Sequence, residues 1–125
     1  MLINNKKEII QLMKDVKTQY FPDIDEEITF KLRVDTSGAV TGRILFNTQP
    51  IQLILYCGDE KILERHYRIA LVPIIAHELA HLINPVNPER EMEKRLPEKL
   101  FLLWQEARKA NLLKCSMEGK NYGSS

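Results

Sequence analysis

No stretch of this 125-residue chain is apolar over enough residues to cross a membrane. The longest apolar run, Ile69-Ala70-Leu71-Val72-Pro73-Ile74-Ile75-Ala76, falls far short of the ~20 residues a span requires. No N-terminal apolar segment reads as a secretion signal. Net charge is almost nil, with 18 lysines and arginines against 17 acids, +1 overall. No global field therefore draws the chain to nucleic acid or to an anionic membrane. Basic residues are dispersed and are not interleaved with aromatics as a base-stacking platform needs. Cysteine is scarce: Cys57 and Cys115 do not make a disulfide framework. Cys57 follows Leu53-Ile54-Leu55-Tyr56 and reads as a small buried apolar residue. Internal repeats and low-complexity blocks are lacking too. What remains is the expectation of a soluble, cytoplasmic, single-domain protein spanning 1–125. A domain of this size buries roughly two-thirds of the surface its unfolded chain exposes.

What is present is a succession of clear periodicities. Residues 4–20 carry Ile9, Ile10, Met13, Val16 and Tyr20 at helical spacing, with Asn4 or Asn5 as a cap and Pro22 as the stop. Ile28-Thr29-Phe30-Lys31-Leu32-Arg33-Val34 alternates apolar and polar residues and predicts a half-buried strand. Asp35-Thr36-Ser37-Gly38 has turn chemistry. Residues 43–47 and 52–57 read as two further strands, and the short connections predict an antiparallel three-stranded meander. From Lys61 the period becomes helical as far as Asn84-Pro85, with Pro73 kinking that helix or opening a second one. A short charged helix follows over 89–95, and Pro97 opens a last helix over 98–113. The expected class is α+β.

The chemistry lies in Ile75-Ala76-His77-Glu78-Leu79-Ala80-His81-Leu82. Residues four apart share one helix face, so His77 and His81 can both reach one Zn²⁺ at about 2.0–2.1 Å. Glu78 stands about 100° further round and can face a water on the metal rather than the metal itself. Zinc lowers the pKa of such a water towards ~7. Glu78 would take its proton and pass it to a leaving amine. The competing reading is a helix with two incidental histidines. The apolar flanks Ala76, Leu79, Ala80 and Leu82 would bury the rest of this helix and leave the histidines in a cleft.

A catalytic zinc needs a third protein ligand. His66 lies eleven residues before His77, about 16 Å along a continuous helix, and is out of reach. Glu89, Glu91 and Glu93 belong to a charged, solvated run. Two carboxylates remain on the last helix. Glu106 shares a face with Leu102, Leu103, Ala110 and Leu113, where a carboxylate is costly unless paired or metal-bound. Glu98 at the helix start is the alternative. An ion pair between Glu106 and Arg108 or a lysine is the structural explanation that competes with ligation.

A short chain with His77-Glu78-x-x-His81 and a glutamate on a later helix resembles the gluzincin metallopeptidases. Its size and order of elements resemble the minigluzincins, the minimal members of that group. The resemblance spans most of the chain, though only the His-Glu-x-x-His segment is a specific motif. It implies a zincin-like fold, a zinc-dependent endopeptidase, His77 and His81 as ligands, Glu78 as general base and acid, and Glu106 as third ligand. Ala110 stands where many gluzincins carry an aspartate four residues after that glutamate. The resemblance also implies latency, with residues 114–125 as a mobile or inhibitory tail that occupies its own or a neighbour's cleft. Cys115 is then a candidate zinc-blocking thiolate, set against an idle tail thiol. It further implies that the strand Gln52–Cys57 binds substrate as an added strand. The implied partner is a peptide or protein substrate, with self-association through the tail, and neither nucleic acid nor membrane. The alternative function is a catalytically inactive zinc-binding or interaction module on the same fold.

Overall fold

In the computed structural model, residues 6–34, 41–57 and 68–109 are described. They form α1 (Lys6–Tyr20), β1 (Ile28–Val34), β2 (Thr41–Leu45), β3 (Ile51–Cys57), α2 (Arg68–Ala80), α3 (Pro88–Arg95) and α4 (Glu98–Lys109). The class is α+β, as the periodicities predict. The predictions for His66, Cys115 and the 114–125 tail, and for helical turns at 61–67 and 110–113, fall outside the described residues. Among the described residues, no helix is long and apolar enough to cross a membrane.

Helix α1 buries Ile9, Leu12, Met13 and Val16, one stripe at spacings of three and four. It stops at Tyr20 because Phe21 precedes Pro22, and a residue before proline avoids the helical region. Lys17 secures the exit: its carbonyl accepts from the Phe21 N–H at 2.9 Å, and its ammonium donates to the Ile24 carbonyl at 2.9 Å.

The sheet departs from the expected meander. Its order is β1-β3-β2, with β1 parallel and β2 antiparallel to β3. β1 and β2 flank β3 and do not touch each other along a ladder. The reason lies in β3. Leu53 and Leu55 are fully buried on one face, and Ile54, on the opposite face, is only 3 % exposed. A strand buried on both faces belongs in the centre, and alternating strands such as β1 belong at an edge. Connection length alone does not carry that information. With ladders on both sides, β3 (Ile51–Cys57) offers no free edge, so it is not the strand to which a substrate could add.

Rows of side chains cross the inner face of the sheet. Phe30, Leu53 and Ile44 form one row, and Leu32, Leu55 and Gly42 the next. The second row ends on a residue without a side chain.

Helix α2 packs on this face and against α1, α3 and α4. Leu71, Ile74, Ile75, Ala76, Leu79 and Ala80 are all buried, so the helix is apolar nearly all round, as a central helix must be. Pro73 lies inside one helix rather than opening a second. The end at Ala80 tightens into a turn: Leu82 N–H donates to the Leu79 carbonyl at 3.0 Å and Ile83 N–H to Ala80 at 3.0 Å. Proline opens α3, as Pro88 at its first turn. Helix α4 turns Leu100 and Trp104 inward. Arg108 on α4 forms an ion pair with Glu89 on α3.

Candidate metal centre

The two histidines stand where α2 ends. His77 is in its last turn, and His81 is the first residue beyond Ala80. Helical geometry persists across that boundary, since His81 N–H is shared between the carbonyls of His77 at 3.3 Å and Glu78 at 3.2 Å. The imidazoles therefore stay on one face, one turn apart. Their Nε2 atoms converge to 3.2 Å. The rings meet edge to face, with centroids 4.7 Å apart.

That separation has a direct chemical meaning. Two nitrogens bound to one tetrahedral zinc at 2.0–2.1 Å stand about 3.3 Å apart. His81 Nδ1 lies 3.2 Å from the Pro85 carbonyl oxygen, which can only accept, so Nδ1 carries the proton. The Nε2 lone pair of His81 is then directed at His77. A carbonyl that holds the remote nitrogen of a histidine in this way is a common outer partner of metal-bound imidazole. The donor set of His77 and His81 fits two ligands of a zinc.

All three motif side chains are enclosed: His77 is 5 %, Glu78 0 % and His81 3 % exposed. Glu78 lies against β2. A Cβ built on Gly42 would fall 2.7 Å from Glu78 Cγ and 3.2 Å from both Cδ and Oε2. His77 is covered by Trp104, whose ring stacks on it with centroids 4.3 Å apart and planes 23° apart. Trp104 Nε1 is buried without a hydrogen-bond acceptor among the described residues.

The predicted third ligand is not brought to this pair. Glu106 is exposed, and so is Glu98. Helix α4 presents Trp104 to His77, and Glu106 stands about 200° further round the axis. Leu102, expected on the inner face with Glu106, is 49 % exposed. The inward face instead runs through Leu100 and Trp104, because the indole carries the largest apolar surface on the helix. Arg108, the expected partner of Glu106, binds Glu89. Glu91 is engaged by Arg95 and Lys94 with its side chain only 13 % exposed, so of the run expected to be solvated Glu93 is exposed and Glu91 is not. Among the described residues, no group of three or more His, Cys, Asp or Glu side chains gathers as a metal site.

Three residues of the site escape sequence reasoning. Pro85 contributes only a carbonyl, which leaves no trace in residue type. Trp104 could have been suspected as the single tryptophan, four residues from Leu100 on an amphipathic helix. Gly42 carries the clearest signal, a glycine inside a strand, which often marks close approach of another group. Set against family models, curated proteins and solved structures, the chain matches none.

Proposed function

We propose that the protein is a zinc-dependent metallopeptidase of minigluzincin type, zincin-like in fold, acting on a peptide or protein. The observation that carries this reading is the 3.2 Å convergence of His77 Nε2 and His81 Nε2, with Glu78 between them in sequence. His77 and His81 would hold the metal. Bound there, zinc would supply Lewis acidity, polarising a carbonyl and making water acidic near neutral pH. Glu78 accepts the proton of the attacking water on a carboxylate oxygen and returns it to the amide nitrogen as the C–N bond breaks. Glu106 would join the histidines only if α4 turned about its axis. β3, paired on both sides, is not available to an added strand; an extended substrate would instead lie in the cleft beside Glu78 and β2.

The enclosure of all three side chains supports a latent form, in which substrate gains access only after part of the cover is displaced. The same enclosure favours the second reading, an inactive zinc-binding module. The experiment is zinc stoichiometry on wild type, His77→Ala, His81→Ala and Glu78→Gln, with hydrolysis of an unfolded protein by full-length chain and by a form ending at Lys114. The expected result is about one zinc per chain in wild type and Glu78→Gln and much less in the histidine variants. Hydrolysis is expected to rise on truncation and to vanish in Glu78→Gln. Zinc without hydrolysis in either form selects the inactive module, and no zinc in wild type removes both readings.

A further inference from the structure

We propose that Gly42 is a positioning residue for Glu78: the bare backbone of β2 at this point is the surface against which the Glu78 side chain is set. The inference rests on the peptidase reading for its catalytic consequence and on geometry alone for the contact.

Space, not backbone torsion, requires glycine at position 42. The residue lies within regular strand β2, paired with Leu55, in a conformation that side-chain-bearing residues adopt freely. A Cβ there would stand 2.7 Å from Glu78 Cγ, closer than carbon atoms approach, with Cδ and Oε2 next at 3.2 Å. The contact runs along the whole outer half of the side chain. Glu78 is 0 % exposed, so it has no open side to retreat into. The inner-face row Leu32–Leu55–Gly42 ends in a notch, and the carboxylate arm of α2 fills the place a strand side chain would take. The chain has five glycines, and this one sits inside a strand, where glycine weakens the ladder unless another group needs the room. Close packing at this contact couples β2 to the direction of the carboxylate, and a general base displaced by a fraction of an ångström loses rate steeply.

The test is a double-mutant cycle on the full-length protein with Gly42→Ala, Glu78→Ala and both together. Alanine at position 78 removes Cγ, Cδ and both oxygens, and with them every contact the new methyl would violate. Urea midpoints, zinc per chain, and kcat and KM on a fluorogenic peptide are measured. Gly42→Ala is expected to lower the midpoint when Glu78 is present and to leave it unchanged in the Glu78→Ala background. Zinc content is expected to stay at the wild-type level, because the histidines are untouched. kcat is expected to fall by about tenfold or more with KM within about twofold. An equal loss of midpoint in both backgrounds would overturn the proposal, since glycine would then serve only its own strand. A coupled midpoint with unchanged kcat would overturn the positioning role. If Gly42→Ala alone does not fold, folding of the double variant supports the contact and its failure refutes it. Absence of zinc and hydrolysis in wild type would sink the peptidase reading, while the midpoint cycle would still decide the contact.

Discussion

The indole of Trp104 lies on the imidazole of His77, ring centroids 4.3 Å apart. One face of the first histidine is thereby closed by an aromatic side chain from α4, while its edge meets His81 at 90°. The arrangement holds His77 in one rotamer with Nε2 directed at His81. It also places the chain's single tryptophan in contact with a candidate metal ligand.

Metal binding at the pair is therefore expected to be visible in tryptophan emission. Cu²⁺, which imidazole binds strongly, should quench Trp104 saturably, and zinc should compete the quenching away. His77→Ala and His81→Ala should each abolish it. Quenching that survives both substitutions would put the metal elsewhere.

Glu106→Ala is expected to leave zinc content at the wild-type level, because Glu106 is exposed and faces away from Trp104 and His77. Elemental mass spectrometry on purified protein decides the matter. A large loss of zinc in this variant would mean that α4 turns when metal binds, and the Trp104 stack would then have to break.

A bidentate pair ties α3 to the segment after α1. Arg95 donates to Asp23 Oδ1 at 2.6 Å and Oδ2 at 2.8 Å, and to the Tyr20 carbonyl at 3.2 Å. The Arg95 hydrogen bonds to its oxygens hold the Asp23 carboxyl at about 2, below its ordinary 3.8. A carboxyl whose pKa is lower in the folded chain than in the unfolded one contributes stability that is full above about 3.8 and is lost as pH falls through about 2. Wild type should thus have a higher urea midpoint than Asp23→Asn at neutral pH, and the difference should close across that acid range. The Asp23 side chain is 57 % exposed, so the effect is small and shrinks with added salt. A difference that persists below pH 2 would refute the assignment.

Strand order predicts an exchange pattern. Residues 52–56 of β3 have ladder partners on both sides, β1 on one and β2 on the other. Amides 52–56 of β3 should exchange slowly with solvent deuterium. Uniformly fast exchange along β3 would contradict its central place. Leu53→Ala, at the middle of that strand and fully buried, should cost about 2–5 kcal/mol in denaturation experiments.

Local pattern carried much of this molecule. The alternation from Ile28 to Val34 coincides with β1 residue for residue, and the stop at Pro22 and the start at Pro97 bound α1 and α4. The spacing of His77 and His81 is enough to put their imidazoles on one helix face, because 3.6 residues per turn is a property of the backbone. Apolar neighbours likewise announced the burial of the rest of α2, whereas the enclosure of His77, Glu78 and His81 themselves goes beyond that expectation.

Tertiary packing decided the rest. Whether β1 pairs with β2 or β3 turns on which strand is buried on both faces, and Ile54 becomes buried only in the assembled sheet. Which side of α4 faces inward was a contest between two faces of similar composition. A buried Trp104 outweighs the leucines that accompany Glu106, and rotation of one helix by about 200° separates a ligand from a bystander. Gly42 and Glu78 are 36 positions apart in the sequence, and nothing in either residue names the other. Their contact exists because α2 packs across the edge of the sheet where the inner row ends without a side chain. Periodicity belongs to the local chain, whereas a contact between distant residues depends on how every element between them packs.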